Sequence, residues 1–369
     1  MNPNIVTFPP PVSASHPGEG PNKEPETLRV RAAIRRFDLA RPPPEPTPRF
    51  FINGHAVCTP GNITNLIAQA KAGKSAYVSA MLAAAIVAAS ESRDRDCLGV
   101  SAAVPSDKNI ILHIDTEQAP RDHFDLMRRT LRRAGVEEAP SWLNSYGLAG
   151  FSAEELRRLL HILLEDNAAS GRTVFAVIID GTADMVLDVN DPAECNPFVA
   201  ELQGLAIQYE TAIVNVVHEN PGPNSTSGGK MRGHLGSQLE RKAESNIRLK
   251  KTEEITVVFS EKMRRAPILE SEGPRFKWDD ESSMHRSCES AGVMKDAKKR
   301  ERARDLAVGV FEAAGKERMR HGELLDAIAK LRRIEKSTAE DRFTEWKRLG
   351  VIVKNSISGD WTLANPVTP

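Results

Sequence analysis

The feature that most constrains this chain is the passage from 63 to 89. An apolar run ending Leu66-Ile67-Ala68 enters the loop Gln69-Ala70-Lys71-Ala72-Gly73-Lys74-Ser75, and an Ala-rich apolar run begins at Ala76. The pattern predicts a buried strand over 63–68 and a helix over 75–89, with Lys74-Ser75 at the helix start. Backbone N–H groups at such a loop and helix N-terminus face outward together and suit an anion such as a polyphosphate. Ala68 stands where the usual GxxxxGK[ST] pattern has its first glycine, and a small residue makes that turn if its φ stays negative. The run 76–89 is too short and too rich in alanine to span a membrane.

Strand-like and helix-like runs alternate from there on. Strands are expected at 110–114, 174–179 and 212–217, with helices at 121–134, 153–168 and 196–210. The stretch 239–249 begins helical and leads into paired runs at 246–250 and 255–260. Continuous Val/Ile runs are what strands covered on both faces look like, so the expected fold class is α/β with a doubly wound, mostly parallel sheet.

Outside this core the composition changes. Residues 1–47 are rich in Pro, Glu and Arg and are expected to be a disordered or extended arm, with 28–39 able to form a short basic helix. The ordered domain is expected over 48–280, followed by a polar and basic linker over 281–302. A small domain over 303–365 shows helices at 303–314, 321–331 and 337–349 and strand pieces at 351–354 and 360–363, which is the layout of a winged helix. Its third helix opens on a candidate capping box, Ser337 with Glu340, and mixes Arg342, Lys347 and Arg348 with Asp341 and Glu345. Phe343, Trp346 and Leu349 fall on its core face, so this module suits either DNA or protein docking.

Lys+Arg and Asp+Glu both total 50, so net charge neither suggests nor excludes a nucleic-acid partner. Cys58, Cys97, Cys195 and Cys288 form no CxxC pair and read as reduced thiols. With no signal-peptide pattern, a cytoplasmic location and no membrane partner are expected.

Further chemistry-bearing residues follow the loop in order. Val177-Ile178-Ile179-Asp180 is an apolar strand ending in a carboxylate suited to the shell of a Mg²⁺ ion, together with the Ser75 hydroxyl. In His113-Ile114-Asp115-Thr116-Glu117, Glu117 is the expected general base for an attacking water, with Asp115 in reserve. His218 ends the strand 212–217, where a side chain could sense a terminal phosphate. It precedes a Gly/Pro/Ser/Asn-rich segment, 219–233, whose Lys230 and Arg232 suit a phosphate backbone. Lys262-Met263-Arg264 follows the strand 255–260 and could reach a neighbouring subunit's phosphate.

On these residues the stretch 50–275 resembles the RecA/DnaB-like superfamily, in particular RepA-type hexameric replicative helicases and related mobile-element ATPases. Residues 68–75 look like Walker A, with Ala68, Gln69, Ala70, Lys71, Ala72, Gly73, Lys74, Ser75 and the following Ala76 as the expected ATP contacts. Glu117 matches the catalytic glutamate, Asp180 the Walker B aspartate, and His218 the sensor position. The segment 232–238 is similar to the Gly-Ser segment behind the DNA-binding loop, and Lys262-x-Arg264 is similar to the piston and finger pair. The resemblance implies a RecA-like fold, ATP and Mg²⁺ as cofactors, a homo-oligomer with the hexamer as a candidate ring, and single-stranded DNA held centrally. A ring-forming helicase or strand-binding motor is the leading expectation. The alternative is an ATP-gated DNA-binding regulator without unwinding activity. A small-molecule kinase is disfavoured, because the Lys262-x-Arg264 pair suggests an interface.

Overall fold

The computed structural model describes residues 24–364 except 41, 91–94, 107, 220–230, 232, 261, 266, 290 and 356–358. Helix α1 (Glu24–Ile34) comes first, inside the expected arm and earlier than the short basic helix foreseen there. Strands β1 (Phe50–Ile52) and β2 (His55–Cys58) lead to β3 (Asn62–Ala68) and helix α2 (Lys74–Ala89). Next come β4 (Val100–Ala102), β5 (Asn109–Asp115), α3 (Pro120–Ala134), β6 (Leu143–Gly147), α4 (Ala153–Ala169) and β7 (Thr173–Asp180). The unit continues with α5 (Pro192–Gln208), β8 (Ala212–His218), α6 (Gly233–Lys242), β9 (Ser245–Thr252), β10 (Ile255–Phe259), β11 (Arg275–Asp279) and β12 (Met284–Ser287). The second unit holds α7 (Ala291–Ala314), α8 (His321–Arg332), α9 (Lys336–Arg348), β13 (Ile352–Lys354) and β14 (Trp361–Leu363).

The chain divides into Met1–Cys288 and Glu289–Pro369. In the first unit a nine-stranded sheet runs β12-β11-β10-β9-β3-β8-β7-β5-β6. The pairs from β9 through β6 are parallel, and β10, β11 and β12 add an antiparallel edge. This is an α/β protein with a large, mostly parallel central sheet. A small antiparallel sheet, β2-β1-β4, accompanies it.

Alternate residues of each central strand serve opposite cores. Leu66, Ile111, Ile178 and Val214 join Val78, Met81 and Leu82 of α2 on one face. Their neighbours Ile67, Leu112, Ile179 and Ile213 join Leu156 and Leu160 of α4 and Phe198 and Leu202 of α5 on the other. Each such aliphatic side chain contributes about 1.5–3 kcal/mol when withdrawn from water, so unbroken apolar runs become the centre of the sheet. Helix starts follow local rules: Ser152 and Glu155 form a capping box on α4, and Asp191 caps α5 ahead of Pro192.

Two boundaries differ from the sequence reading. The stretch 281–302 is not a bare linker: Met284–Ser287 pairs with β11, and α7 already starts at Ala291. Only Met284 of β12 is buried, so an edge strand with polar residues outward looked like a connector. The Lys, Arg, Ala and Glu residues of early α7 are strong helix formers despite their charge. The second correction is at α9, where Ser337 lies inside the helix, Glu335 is the N-cap, and no side chain caps it. The second unit is three helices and a two-stranded hairpin around Val310, Phe311, Leu324, Ile328, Phe343 and Trp346. Among the described residues no helix is long and apolar enough to cross a membrane. All four cysteines are free thiols.

Candidate active site

The parallel register brings four strand ends to one edge. Ala68 of β3 pairs with His218 of β8, and Asp115 of β5 pairs with Asp180 of β7. The loop after β3 therefore opens beside the carboxylates and the imidazole.

That loop is shaped by its backbone. Ala68 stays in extended strand, and the left-handed conformations fall later, at Lys71 (φ 63°) and Gly73 (φ 88°). Gly73 has a second reason to lack a side chain: a Cβ there would lie 2.8 Å from the Phe276 ring of β11. The Thr256 hydroxyl donates to the Ala72 carbonyl at 3.2 Å and fixes the loop from β10. Gly73 is the N-cap of α2, and no side chain caps that helix. Its first N–H groups are thus left for an anion.

Lys74 reaches across this mouth. Its ammonium lies 2.7 Å from His218 Nδ1 and 2.8 Å from Nε2, and Nε2 is 2.8 Å from Glu117 Oε1. A carboxylate only accepts, so Nε2–H donates to Glu117 and the Nδ1 lone pair accepts from Lys74. Burial lowers the Lys74 pKa, against the pull of Glu117 and Asp180. The His218 hydrogen bond, outweighing burial, holds Glu117 below the ordinary glutamate range. Asp180 is different. Burial first, then repulsion from Asp115 and Glu117, raises it to about 7 against the attraction of Lys74 and His218. Its Oδ2 is buried without a hydrogen-bond partner. That orphaned oxygen, with Ser75 at the start of α2, fits the donor set of a hydrated Mg²⁺ ion.

A cavity of about 550 Å³ opens from Gly73, Lys74 and Ser75, with Glu117 and His218 on one wall and Arg129, Arg133, Lys251, Trp278 and His285 on another. Burial, then Arg133, Lys251 and Arg129, pushes His285 down to about 4, so it is a neutral ring edge-on to Trp278 at 5.4 Å. The cavity therefore offers a backbone anion cradle, fixed cations and an aromatic end.

The expected residues do not all converge. Lys74, Ser75, Glu117, Asp180 and His218 do. Lys262 and Arg264 lie at the other end of the sheet, because β10 runs antiparallel to β9 and returns the chain there. Arg264 Nη1 donates to Asn62 Oδ1 at 2.9 Å at the beginning of β3, and Lys262 is 3.5 Å from Glu240. Lys230 and Arg232 lie outside the described residues.

Sequence reasoning missed two polar networks behind this edge. Asp115 Oδ1 accepts the N–H groups of Glu117 (3.1 Å) and Gln118 (3.0 Å), and its Oδ2 accepts from His123 Nδ1 at 2.9 Å. Burial pushes Asp115 up, but His123 and these N–H groups outweigh it and hold the carboxyl below its ordinary value. Ser145 Oγ lies 3.0 Å from His123 Nε2 and 2.8 Å from His113 Nδ1. His113, Asp115 and Asp180 each bring one ligand-capable atom to within 4.8 Å of the others. The second network is a buried ladder: Asn65 Nδ2 donates to Asn246 at 2.7 Å, and Asn215 donates to Asn65 at 3.4 Å. The signal for both was a polar residue inside an apolar strand, and for His123 a histidine on the inward face of α3.

A scan of protein-family models finds none that matches this chain, and a search of curated proteins returns no significant match.

Proposed function

We propose that this chain is a RecA-like P-loop ATPase that acts on DNA as a ring-forming motor. The observation that carries the reading is the meeting of Lys74, Glu117, His218 and Asp180 around an uncapped helix N-terminus at one edge of a parallel sheet. In this reading the loop 68–76 and Lys74 hold the polyphosphate, while Ser75 and Asp180 hold Mg²⁺. Bound Mg²⁺ would neutralise charge on the phosphate oxygens. Glu117, ionised and held by His218, orients a water and accepts its proton. The triphosphate draws Lys74 away from His218, which makes His218 the side chain that registers an occupied site. The Trp278 end of the cavity is apolar enough for a base, and its cations suit the phosphates nearer the loop.

Two further observations support assembly and a polymer partner. Lys262 and Arg264 sit where no nucleotide in their own subunit can meet them, as a pair completing a neighbour's site would. Helix α3 exposes Arg121, Arg128 and Arg132 at helical spacing, with Arg121 over the exposed Phe124 ring at 5.6 Å. Cations interleaved with an aromatic suit single-stranded nucleic acid. The C-terminal unit, three helices and a hairpin, is read as a winged helix whose α9 carries mixed charge.

The test is ATP hydrolysis with and without single- and double-stranded DNA, with mass measured in the presence of nucleotide. Stimulation by single strands and a nucleotide-dependent oligomer are expected. Hydrolysis indifferent to DNA by a monomer would refute the motor.

A further inference from the structure

Behind the loop edge, at the paired ends of β5 and β7, His113, Asp115 and Asp180 stand with one ligand-capable atom each within 4.8 Å of the others. All three are withdrawn from water, at 0%, 0% and 2% exposure. Two of them present atoms that nothing in the protein satisfies, His113 Nε2 and Asp180 Oδ2. Buried polar atoms nearly always have partners, so two orphans in one cluster call for a ligand.

The hydrogen-bond chain engages one nitrogen of His113 and leaves the other. Asp115 as a carboxylate only accepts, so His123 Nδ1 carries the proton at their 2.9 Å contact. Ser145 Oγ lies 3.0 Å from His123 Nε2 and 2.8 Å from His113 Nδ1. Nδ1 of His113 is thus engaged, and Nε2 is the nitrogen left to a metal, which imidazole binds through a lone pair. A ring N–H given to a hydrogen-bonded oxygen is also the usual outer support of a metal-bound histidine. Asp115 accepts three hydrogen bonds and retains one of its roughly four lone-pair directions.

Charge points the same way. Two buried carboxyl groups stand together. A divalent cation would neutralise both and satisfy both orphans, where an apolar filling would do neither.

We propose that His113 Nε2, Asp115 and Asp180 form a binding site for a divalent first-row transition cation such as Mn²⁺ or Zn²⁺, which shares Asp180 with the Mg²⁺ position at Ser75 but does not use Ser75. The nitrogen ligand sets the class, since imidazole favours these ions over Mg²⁺, whose preferred donors are oxygens. The site needs neither nucleotide nor Ser75, so it stands or falls separately from the ATPase reading.

The test uses chelator-stripped, nucleotide-free full-length protein titrated with Co²⁺ and Mn²⁺. It follows the Co²⁺ visible spectrum, the Mn²⁺ paramagnetic signal and competition by Zn²⁺ and excess Mg²⁺. One tight cation per chain is expected, displaced by Zn²⁺, resistant to Mg²⁺ and unchanged in Ser75→Ala. His113→Gln and Asp180→Asn should lose it, and Ser145→Ala should weaken it roughly 10- to 100-fold by removing the outer support. If His113→Gln does not fold by circular dichroism, Asp180→Asn decides. Failure of the wild type to bind Co²⁺ overturns the proposal. So does binding that survives Asp180→Asn, or binding that requires nucleotide and vanishes in Ser75→Ala.

Discussion

Glu117 and His218 meet at 2.8 Å although their strands, β5 and β8, are not neighbours in the sheet. Strand β7 lies between them and ends in Asp180. The contact closes over the loop edge, and Lys74 completes it from α2. A carboxylate, a cation and an imidazole are thus coupled at this edge.

Gly73 is the position where the loop tolerates no side chain. Gly73→Ala places a Cβ 2.8 Å from Phe276 and keeps a left-handed φ of 88°. The conformational term alone costs roughly 1–2 kcal/mol. The expected result is a lower melting temperature together with weakened nucleotide binding, measured by thermal unfolding with and without nucleotide. An unchanged melting temperature and affinity would show that the loop is not held in this form.

The asparagine ladder beneath the loop should be a stability element. Asn65→Leu removes the donor to Asn246 and the acceptor of Asn215, all buried. A loss of about 1–3 kcal/mol in chemical unfolding is expected for each partner left unsatisfied. A neutral result would mean the ladder carries no net stability.

Legibility in the sequence followed burial. The strands β3, β5, β7 and β8 were readable because each is an apolar run covered on both faces. Lys74, Glu117, Asp180 and His218 were readable because each sits at the end of such a run or just beyond it. The short strands β1, β2, β4 and β6 were not: β1 and β2 form a hairpin of only 3 and 4 residues, and β4 and β6 pair with β1 and β5 far along the chain, which no local period records. The chain from Asp115 through His123 to Ser145 was hidden for a related reason. Its Ser145 end depends on β6 pairing beside β5, and sheet order is not a local property. The opposite placement of Arg264 likewise follows from β10 turning back antiparallel to β9.

A pH effect on stability is expected away from the loop, between α4 and α5. The hydrogen bond to Glu201 raises the pKa of His161 against burial, with Glu201 and Glu165 adding attraction and Arg157 opposing. A histidine raised in the folded state stabilises it fully below the unfolded value of about 6.5 and loses that contribution as pH rises through the folded value. The difference in melting temperature between wild type and His161→Ala should therefore be larger at acidic than at alkaline pH. The pair is partly exposed, so the effect is small. An equal difference at both would contradict the assignment.

The roles proposed for Glu117 and Lys74 are separable. Glu117→Gln keeps the shape but not the base, and should lower turnover about 10²- to 10⁴-fold with nucleotide binding retained. Lys74→Ala should weaken binding itself. Phosphate release from Mg²⁺–ATP by the wild type and these two variants, read beside nucleotide affinity, tests the assignment of this site most directly. Turnover is expected in the wild type, bound but unhydrolysed nucleotide in Glu117→Gln, and loss of both in Lys74→Ala. Wild-type turnover that persists unchanged in Lys74→Ala would contradict this assignment.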